Sequence, residues 1–233
     1  KEYNGASALI FFTSDKCYEN KEKKKSFVET DRLGGKDPYS ASKACQEILF
    51  WSYKNSFFKN LPAATVWFGN VFGGGDFAKN RIIPDLIRSI QKKNMILRQP
   101  NSIRPWQFVL EPLRGCLDLT LKLLKKNSEY YSSWNFGPSK DQQITVKELI
   151  IKANEKLDKK IKISFESNKI ISESKYLMLD SSKAKFKLSW IPYLNIDDSL
   201  DLTIKWYLND KTNTNMFDYT QNQIEQYFRI GKQ

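Results

Sequence analysis

Residues 8–15 read Ala8-Leu9-Ile10-Phe11-Phe12-Thr13-Ser14-Asp15. The first five form a short, continuous apolar run, which is typical of a strand buried on both faces of a parallel sheet. Polar side chains follow directly, and in open α/β sheets ligands bind beyond the carboxyl ends of the strands. The stretch therefore predicts a parallel-sheet fold and the edge of the sheet at which a functional site would lie.

Outward from this stretch, strand-like and helix-like segments alternate along the chain. Further strands are predicted at residues 63–68, 95–97, 108–110, 134–136 and 161–165, and helices at 39–58, 82–92, 111–125, 182–188, 197–208 and 213–228. Thr145-x-x-Glu148 is a capping box that predicts one more helix start. This alternation indicates an α/β fold with a parallel sheet.

The composition limits the chemistry that the chain can perform. It has 233 residues, no His, and 38 Lys+Arg against 26 Asp+Glu, so its formal charge is +12. Without imidazole, a Ser-His-Asp triad, a Cys-His pair and a His metal site are excluded, and acid–base catalysis must use Asp, Glu, Lys, Tyr or Cys. Because most of the basic residues are Lys, whereas nucleic-acid readers depend on Arg, the charge predicts a solvated surface and no nucleic-acid partner.

The cysteines and the hydropathy pattern favour a reducing compartment, so the cytoplasm is the predicted location. Cys17, Cys45 and Cys116 are widely spaced, without a C-x-x-C motif, which argues against a disulfide framework or a zinc site. No metal site is predicted. No stretch approaches the roughly 18 apolar residues of a membrane-spanning helix, and residues 1–5 lack the apolar core of a signal peptide.

The first chemical motif is Tyr39-Ser40-Ala41-Ser42-Lys43. Four residues apart on a helix, the Tyr39 and Lys43 side chains share one face, and an ammonium beside a phenol lowers the pKa of the phenol. Tyr39 can then act as a base near neutral pH in a chain that has no His. Taken alone, the pair is equally compatible with an ordinary surface contact.

The second motif, Thr13-Ser14-Asp15-Lys16, follows the first predicted strand. A hydroxyl, a carboxylate and an ammonium at this edge can orient and protonate a sugar, whereas the structural alternative is a loop with a helix cap. The two motifs together are much more specific than either one alone.

A glycine-rich loop is predicted within residues 69–80. Residues 73–78 match G-x-G-x-x-A, but no apolar helix follows and no acidic residue closes a second strand about 20 residues on, so they do not form a dinucleotide-binding turn. We expect instead that the loop needs glycine at 73 to 75 because its backbone adopts a positive φ or closely approaches a ligand.

Several motifs occur in a fixed order along the chain. They are Ser14-Asp15-Lys16-Cys17-Tyr18-Glu19-Asn20; Gly34-Gly35-x-Asp37-Pro38-Tyr39-Ser40-x-Ser42-Lys43; Gly69-Asn70-Val71-x-Gly73-Gly74-Gly75-Asp76; Arg104-Pro105-Trp106-Gln107 with Val109-Leu110-Glu111-Pro112-Leu113; and Trp134-Asn135-Phe136-Gly137-Pro138. In this order the chain, from residue 7 to about 208, resembles the extended short-chain dehydrogenase/reductase family of NAD-dependent epimerases and dehydratases, and within it the nucleotide-sugar 4,6-dehydratases.

The resemblance implies a reaction and a role for particular residues. NAD takes a hydride from C4 of the sugar while Tyr39 takes the 4-hydroxyl proton, water leaves from C6, and the hydride returns to C6. Lys43 is implied to bind the nicotinamide ribose and Asp15 to protonate the departing 6-hydroxyl. The implied cofactor contacts are Tyr39, Lys43 and Phe68, and the implied substrate contacts are Ser14 on the 4-oxygen, Asn70, Arg81, Arg104 on the diphosphate, and Asn135. The alternative for Asn70 is a turn residue before the glycines, and the alternative for Arg81 is a solvated residue before a helix. Trp106 could stack on a ring of the ligand, but packing in the core is favoured.

The chain departs from the family pattern at three places. Lys16 stands where most of these dehydratases carry the Glu that removes the C5 proton; the Asp-Lys pair implies CDP-glucose as substrate, and Lys16 could replace that base only with a lowered pKa. Phe108 replaces a His and cannot make its hydrogen bonds. The family's glycine-rich NAD-binding turn lies before the position of Lys1, so we expect missing first strands, an exposed sheet edge and weak binding of NAD by this chain alone.

The expected architecture is a partial Rossmann-like doubly wound parallel sheet, without its first strands, and a smaller C-terminal α/β substrate-binding region. Residues 1–70 are expected to form the C-terminal part of the NAD-binding domain. Residues 71–212 would be mainly the nucleotide-sugar-binding region with a returning Rossmann strand near 107–136, and residues 213–233 a helical extension with no assigned role.

The resemblance also implies a lyase of deoxysugar or O-antigen biosynthesis that forms a homodimer and does not bind membranes. The homodimer would use the helix that carries Tyr39, whose residues Ile48, Leu49, Trp51 and Phe57 fit either an interface or a core. Two alternatives remain open. One is a dehydratase or epimerase for another nucleotide sugar. The other is a non-catalytic scaffold or RNA-binding protein of the same fold, which the +12 charge favours and the intact Ser14, Asp15, Tyr39 and Lys43 oppose.

Overall fold

The computed structural model describes residues 5–165, 174–212 and 214–232. The strands are β1 (Leu9–Phe12), β2 (Ala63–Trp67), β3 (Val71–Phe72), β4 (Asn94–Leu97), β5 (Gln107–Phe108), β6 (Ser133–Asn135) and β7 (Lys162–Phe165). The α-helices are α1 (Pro38–Phe57), α2 (Ile82–Lys92), α3 (Leu110–Leu124), α4 (Val146–Glu155), α5 (Ser182–Leu188), α6 (Ile196–Asp210) and α7 (Met216–Ile230). None of the helices in these residues is long and apolar enough to span a membrane.

The strands of the described residues pair in parallel, as the sequence predicts. They form a three-stranded sheet in the order β1-β2-β6 and two separate two-stranded sheets, β3-β5 and β4-β7. Helix α1 covers one face of the larger sheet, where Phe50 stacks on Phe11. Helices α3 and α5 cover the other face, around a core that contains Val66, Leu119 and Trp134. The α/β fold with helices on both faces is confirmed.

Strand β1 is not buried on both faces, which corrects the prediction from its apolar run. Leu9 and Phe12 are 37% and 48% exposed, because β1 is an edge strand of its sheet. The central strand β2 is buried along its whole length. The exposed sheet edge expected from the sequence is therefore observed, and an apolar run by itself does not distinguish an edge strand from a central one.

The remaining differences are local. The strand predicted at 108–110 is shorter and earlier, since β5 ends at Phe108 and Leu110 already opens α3. The glycine loop has the features expected of it: Gly75 has a φ of +81°, and a Cβ on Gly74 would lie 2.1 Å from Cγ of Trp206. The close neighbour of Gly74 is thus a side chain of α6.

Helices α1 and α4 begin at the signals present in the sequence. At α1, Asp37 accepts a hydrogen bond from the amide of Ser40 at 3.0 Å, and Pro38 occupies the first turn. At α4, the predicted capping box forms, with Glu148 N donating to Thr145 Oγ1 at 3.1 Å and Thr145 N donating to Glu148 Oε2 at 2.7 Å. Both caps depend only on residues within one turn.

Helix α7, to which the sequence assigned no role, packs over Phe108 and α3. The Tyr227 ring lies 6.4 Å from that of Phe108, and both are buried. The Tyr227 hydroxyl donates to Glu111 Oε2 at 2.8 Å and accepts from Arg114 Nε at 3.0 Å. Phe108, which replaces a polar residue of the family pattern, thus lies in an apolar cluster that α7 completes.

We expect Tyr227→Phe to lower the free energy of unfolding by roughly 1–3 kcal/mol, because it removes one hydrogen bond from each of two buried charged groups, Glu111 and Arg114. Urea unfolding followed by circular dichroism measures the effect. Tyr219→Phe on the same helix, at a half-buried position, is the matched control and should change stability by less than about 0.5 kcal/mol. Equal effects of the two substitutions would contradict this account of α7.

Candidate active site

The polar residues after β1 form a tight turn at the carboxyl end of the sheet. The amide of Thr13 donates to the Val66 carbonyl at 3.1 Å, which continues the pairing of β1 with β2 by one residue. Ser14 then caps a short 3₁₀ turn, Asp15–Cys17, and accepts from Lys16 N at 3.2 Å. The alternative of a capped loop is therefore correct as a description of the backbone, and the same turn holds the two candidate catalytic groups.

Asp15 is a buried acid with unused hydrogen-bonding capacity. Oδ1 accepts from Ser14 Oγ at 2.9 Å, while Oδ2 is buried without a partner in the described part of the chain. Burial raises the pKa of the Asp15 carboxyl to about 6, against the lowering effects of the Ser14 hydrogen bond and of the Lys16 and Arg104 charges. A carboxyl with this pKa can hold a proton near neutral pH and donate it.

Tyr39 and Lys43 lie on one face of α1, near its N-terminus. Tyr39 is 55% exposed, and Lys43 Nζ lies 5.6 Å from the centre of its ring. Lys43 Nζ also donates to Gln46 Oε1 at 3.1 Å. An exposed phenol beside an ammonium is the arrangement that the Y-x-x-x-K spacing predicts.

The two motifs meet because the N-terminal end of α1 packs against the turn after β1. The amide of Gly34 donates to the Cys17 carbonyl at 2.8 Å, which holds the segment leading into the helix against this turn. Hydrogen bonds from Ser40 lower the pKa of Asp37, with a smaller contribution from the nearby charge of Lys16. Half-buried Lys16 therefore lies near the start of the helix that carries Tyr39.

A cavity of about 1100 Å³ is lined by three of the predicted substrate residues. Asn70 is half-buried, Arg81 is exposed directly before α2, and Arg104 is buried. Arg104 Nη1 donates to the Ile103 carbonyl at 2.8 Å. Gly69, which precedes Asn70 in the chain, packs against Asp15 and Pro105: an added Cβ would lie 2.8 Å from Asp15 Oδ2 and 2.2 Å from Pro105 Cγ.

Two further predicted residues have mainly structural contacts in this chain. The Asn135 side chain is fully buried; it accepts from Tyr18 Oη at 2.9 Å and donates to the Phe27 and Asp180 carbonyls at 3.0 and 3.2 Å. Both N–H donors of the amide are therefore engaged within the fold, and its contact with substrate stays a prediction. Half-buried Phe68 lies at the end of β2 next to the Asp15 turn, so its cofactor contact stays a prediction.

Trp106 packs in the core, and the cysteines form no disulfide. Trp106 is buried in the core around α2 and α4, in agreement with the favoured packing role. All three cysteines are free thiols.

Glu47 is a buried acid that was not predicted from the sequence. Its spacing of four from Lys43 and eight from Tyr39 nevertheless indicated its position on the same helix face.

The charge of Arg104 is expected to hold down the pKa of Asp15. We predict that Arg104→Gln raises this pKa above about 6, since it removes a positive charge that favours the ionised carboxylate. Carbon-13 NMR of labelled aspartate, titrated between about pH 4 and pH 8, measures the midpoint. Arg98→Gln, at an exposed position lining the same cavity, is the control. An unchanged or lowered midpoint in Arg104→Gln would show that the two groups do not interact.

Comparison with known proteins places this site in a family. The family model described as NAD dependent epimerase/dehydratase matches residues 1–131, more than half of the chain, and includes both motifs. The chain belongs to the NAD-dependent epimerase/dehydratase family. Its match therefore covers the turn after β1, all of α1 and the Asn70 and Arg104 loops.

Among curated members of this family, CDP-glucose 4,6-dehydratase of Salmonella typhimurium is 37% identical over 215 residues, which cover 89% of this chain and 60% of that protein. The dTDP-glucose 4,6-dehydratase of Escherichia coli is 25% identical over 191 residues, covering 79% of this chain and 52% of that protein. The chain thus spans about half to three-fifths of the length of these relatives.

Solved structures of the family have the same fold. The dTDP-glucose 4,6-dehydratase of Bacillus anthracis in complex with NAD superposes with a TM-score of 0.71 at 20% identity, covering 88% of this chain and 62% of that one. DesIV, a dTDP-glucose 4,6-dehydratase of Streptomyces venezuelae with NAD bound, gives 0.74 at 19% identity, covering 87% and 60%.

Proposed function

We propose that the protein dehydrates CDP-D-glucose to CDP-4-keto-6-deoxy-D-glucose, using NAD, as a lyase of deoxysugar and polysaccharide biosynthesis. The observation that carries this proposal is the packing of α1, which bears the Tyr39–Lys43 pair, against the turn that holds buried Asp15 at the carboxyl end of β1. A reaction that removes one proton and delivers another needs a base and an acid in separate environments. The similarity to the Salmonella enzyme and the Lys16 residue support CDP-glucose over other nucleotide sugars.

The residues around Tyr39 fit the nicotinamide riboside end of NAD. Its phenol is exposed, and the Lys43 ammonium beside it can hydrogen bond a ribose hydroxyl. When bound, NAD supplies reversible hydride transfer at C4 and C6 of the sugar. The chain's own contribution is to hold the sugar 4-hydroxyl against Tyr39 Oη and to accept its proton, with Lys43 stabilising the phenolate.

Asp15 is proposed to protonate the 6-hydroxyl as water leaves. Its unpartnered Oδ2 is free to carry the proton, and Ser14, bonded to Oδ1, can orient the sugar 4-oxygen. For removal of the C5 proton we propose Lys16, which follows Asp15 in the same turn. The acid and this base would then come from adjacent residues.

The cavity lined by Asn70, Arg81 and Arg104 is proposed to bind the nucleotide part of the substrate. Arg104 presents a planar guanidinium suited to paired diphosphate oxygens, and Asn70 and Arg81 line the same space. By this proposal residues 1–70 belong to the cofactor domain and residues 71–212 mainly to the substrate region. Strand β6, which pairs with β2, is the strand that returns to the cofactor domain.

The protein is further proposed to be a cytoplasmic homodimer that binds neither nucleic acid nor membrane. Ile48, Leu49, Tyr53 and Phe57 are exposed together on the outer side of α1, an apolar surface of the kind that interfaces cover. Trp51 does not belong to this surface. Its indole N–H donates to Ser133 Oγ at 3.2 Å, toward the sheet.

Turnover of CDP-glucose by the full-length native protein tests the proposal. The 4-keto-6-deoxy product is followed by its absorbance in alkali, with NAD added, and dTDP-glucose and UDP-glucose are run in parallel. We expect turnover with CDP-glucose and at most weak turnover with the other two. Preference for dTDP- or UDP-glucose would reassign the substrate, and binding of CDP-glucose without product would favour a non-catalytic role.

A further inference from the structure

Glu47 is a buried acid that the proposed mechanism does not use. Positions 39, 43 and 47 follow one another at intervals of four and therefore lie in one row along α1. The Glu47 side chain is fully buried, and burial raises the pKa of its carboxyl. Because a buried carboxyl group destabilises a fold unless it is hydrogen bonded, its contacts indicate what it does.

Those contacts join α1 to the ends of two strands. Glu47 Oε1 accepts hydrogen bonds from the hydroxyl of Thr13 and from the indole N–H of Trp67. Thr13 directly precedes Ser14 at the end of β1, and Trp67 is the last residue of β2. One oxygen atom thus connects the Tyr39 helix with the turn that carries Asp15.

The second oxygen contributes no such bond. Glu47 Oε2 is buried without a hydrogen-bond partner in the described residues. The side chains of Thr65 and Trp51 also face the carboxyl and help to lower its pKa against burial, while their closest hydrogen bonds go to Ser133 Oγ, at 2.8 and 3.2 Å. The hydrogen bonds that attach Glu47 to the two strand ends are those at Oε1.

We propose that Glu47 is a positioning residue, which fixes the position of α1 along its axis relative to the ends of β1 and β2. It thereby sets the distance between the Tyr39 phenol and the Ser14–Asp15 turn. Tyr39 lies two helical turns from Glu47, and α1 is continuous between them. A shift of this helix moves Tyr39 relative to the turn after β1. Misplacement of a reacting group by about 1 Å costs up to roughly 100-fold in rate.

Kinetic variants of the full-length native protein provide the first test, which rests on the proposed function. Glu47→Gln keeps an accepting oxygen, Glu47→Leu keeps the approximate volume without an acceptor, and Thr13→Val removes one donor. We expect Glu47→Leu and Thr13→Val to lower kcat roughly 10- to 100-fold with little change in KM. Glu47→Gln should retain kcat within about threefold, a rescue that volume alone does not explain. Asn55→Ala, exposed on the same helix, is the control and should match the native protein.

A second measurement does not depend on turnover. 3-Fluorotyrosine at position 39 reports the environment of that ring by the chemical shift of its fluorine-19 NMR signal. The signal should move in Glu47→Leu and stay in Glu47→Gln, with activities and spectra compared at equal folded fraction. If the native protein does not turn over CDP-glucose, the proposed function fails, while this signal still decides the role of Glu47. A folded Glu47→Leu variant with unchanged kcat or an unchanged signal would overturn the inference.

Discussion

Tyr39→Phe should reduce turnover of CDP-glucose by about 10²- to 10⁴-fold, because it removes the only phenol oxygen that lies beside Lys43 at the exposed end of α1 in the described chain. The substitution removes one hydroxyl from a side chain that is more than half exposed. It should therefore change the free energy of unfolding by no more than about 0.5 kcal/mol. The expected result is a folded protein with almost no activity.

The control for this prediction lies on the same helix. Tyr53→Phe makes the identical chemical change at another exposed tyrosine of α1, four turns from the proposed site, and should leave kcat within about twofold of the native value. Initial rates at saturating CDP-glucose and NAD, with circular dichroism of each variant, separate loss of chemistry from loss of fold. Substantial activity in Tyr39→Phe would show that another group takes the 4-hydroxyl proton.

Asp15→Asn should abolish most turnover and at the same time stabilise the fold. Burial raises the pKa of Asp15 from 3.8 to about 6, so the ionised form is disfavoured in the folded protein. The cost is present above about pH 6 and disappears as the pH falls below the unfolded value. At about pH 8 it amounts to up to roughly 3 kcal/mol, which the neutral amide does not incur. The Asn side chain keeps an oxygen that can accept from Ser14.

Urea unfolding at several pH values measures this effect. The stability gain of Asp15→Asn should shrink to about 1 kcal/mol near pH 4.5. Glu148→Gln is a control of opposite sign: hydrogen bonds from Thr145 lower the pKa of Glu148, so that substitution should destabilise the protein at neutral pH and lose its effect in acid. Destabilisation by Asp15→Asn at pH 8 would mean that the carboxylate is held more favourably than its burial indicates.

The combination of lost activity and gained stability would identify Asp15 as a group kept for chemistry. Its unpartnered Oδ2 is a defect in packing terms. In the proposed mechanism the same atom would deliver the proton to the departing 6-hydroxyl. A structural carboxylate would show the opposite pair of results.

Short-range patterns in the sequence suffice to predict the local elements and the residue types of the candidate site. Helix α1 starts at an Asp-Pro cap, α4 at a capping box, and the Tyr39–Lys43 pair shares a face because of helical periodicity. Each of these features depends on residues within a few positions of one another. The order of the motifs was also sufficient for the resemblance to the family, which the match over residues 1–131 confirms.

Tertiary packing instead governed which surfaces are buried and which polar groups are satisfied. Among the described residues it made β1 an edge strand, gave Asn135 a hydrogen-bond partner 117 residues away in sequence, and left Asp15 Oδ2 unpaired. It also joined Glu47 to Thr13 across 34 residues and packed α7 onto Phe108. Hydrophobic periodicity and capping act within one element, whereas burial and hydrogen bonding depend on which distant elements pack together, and no local pattern specifies that choice.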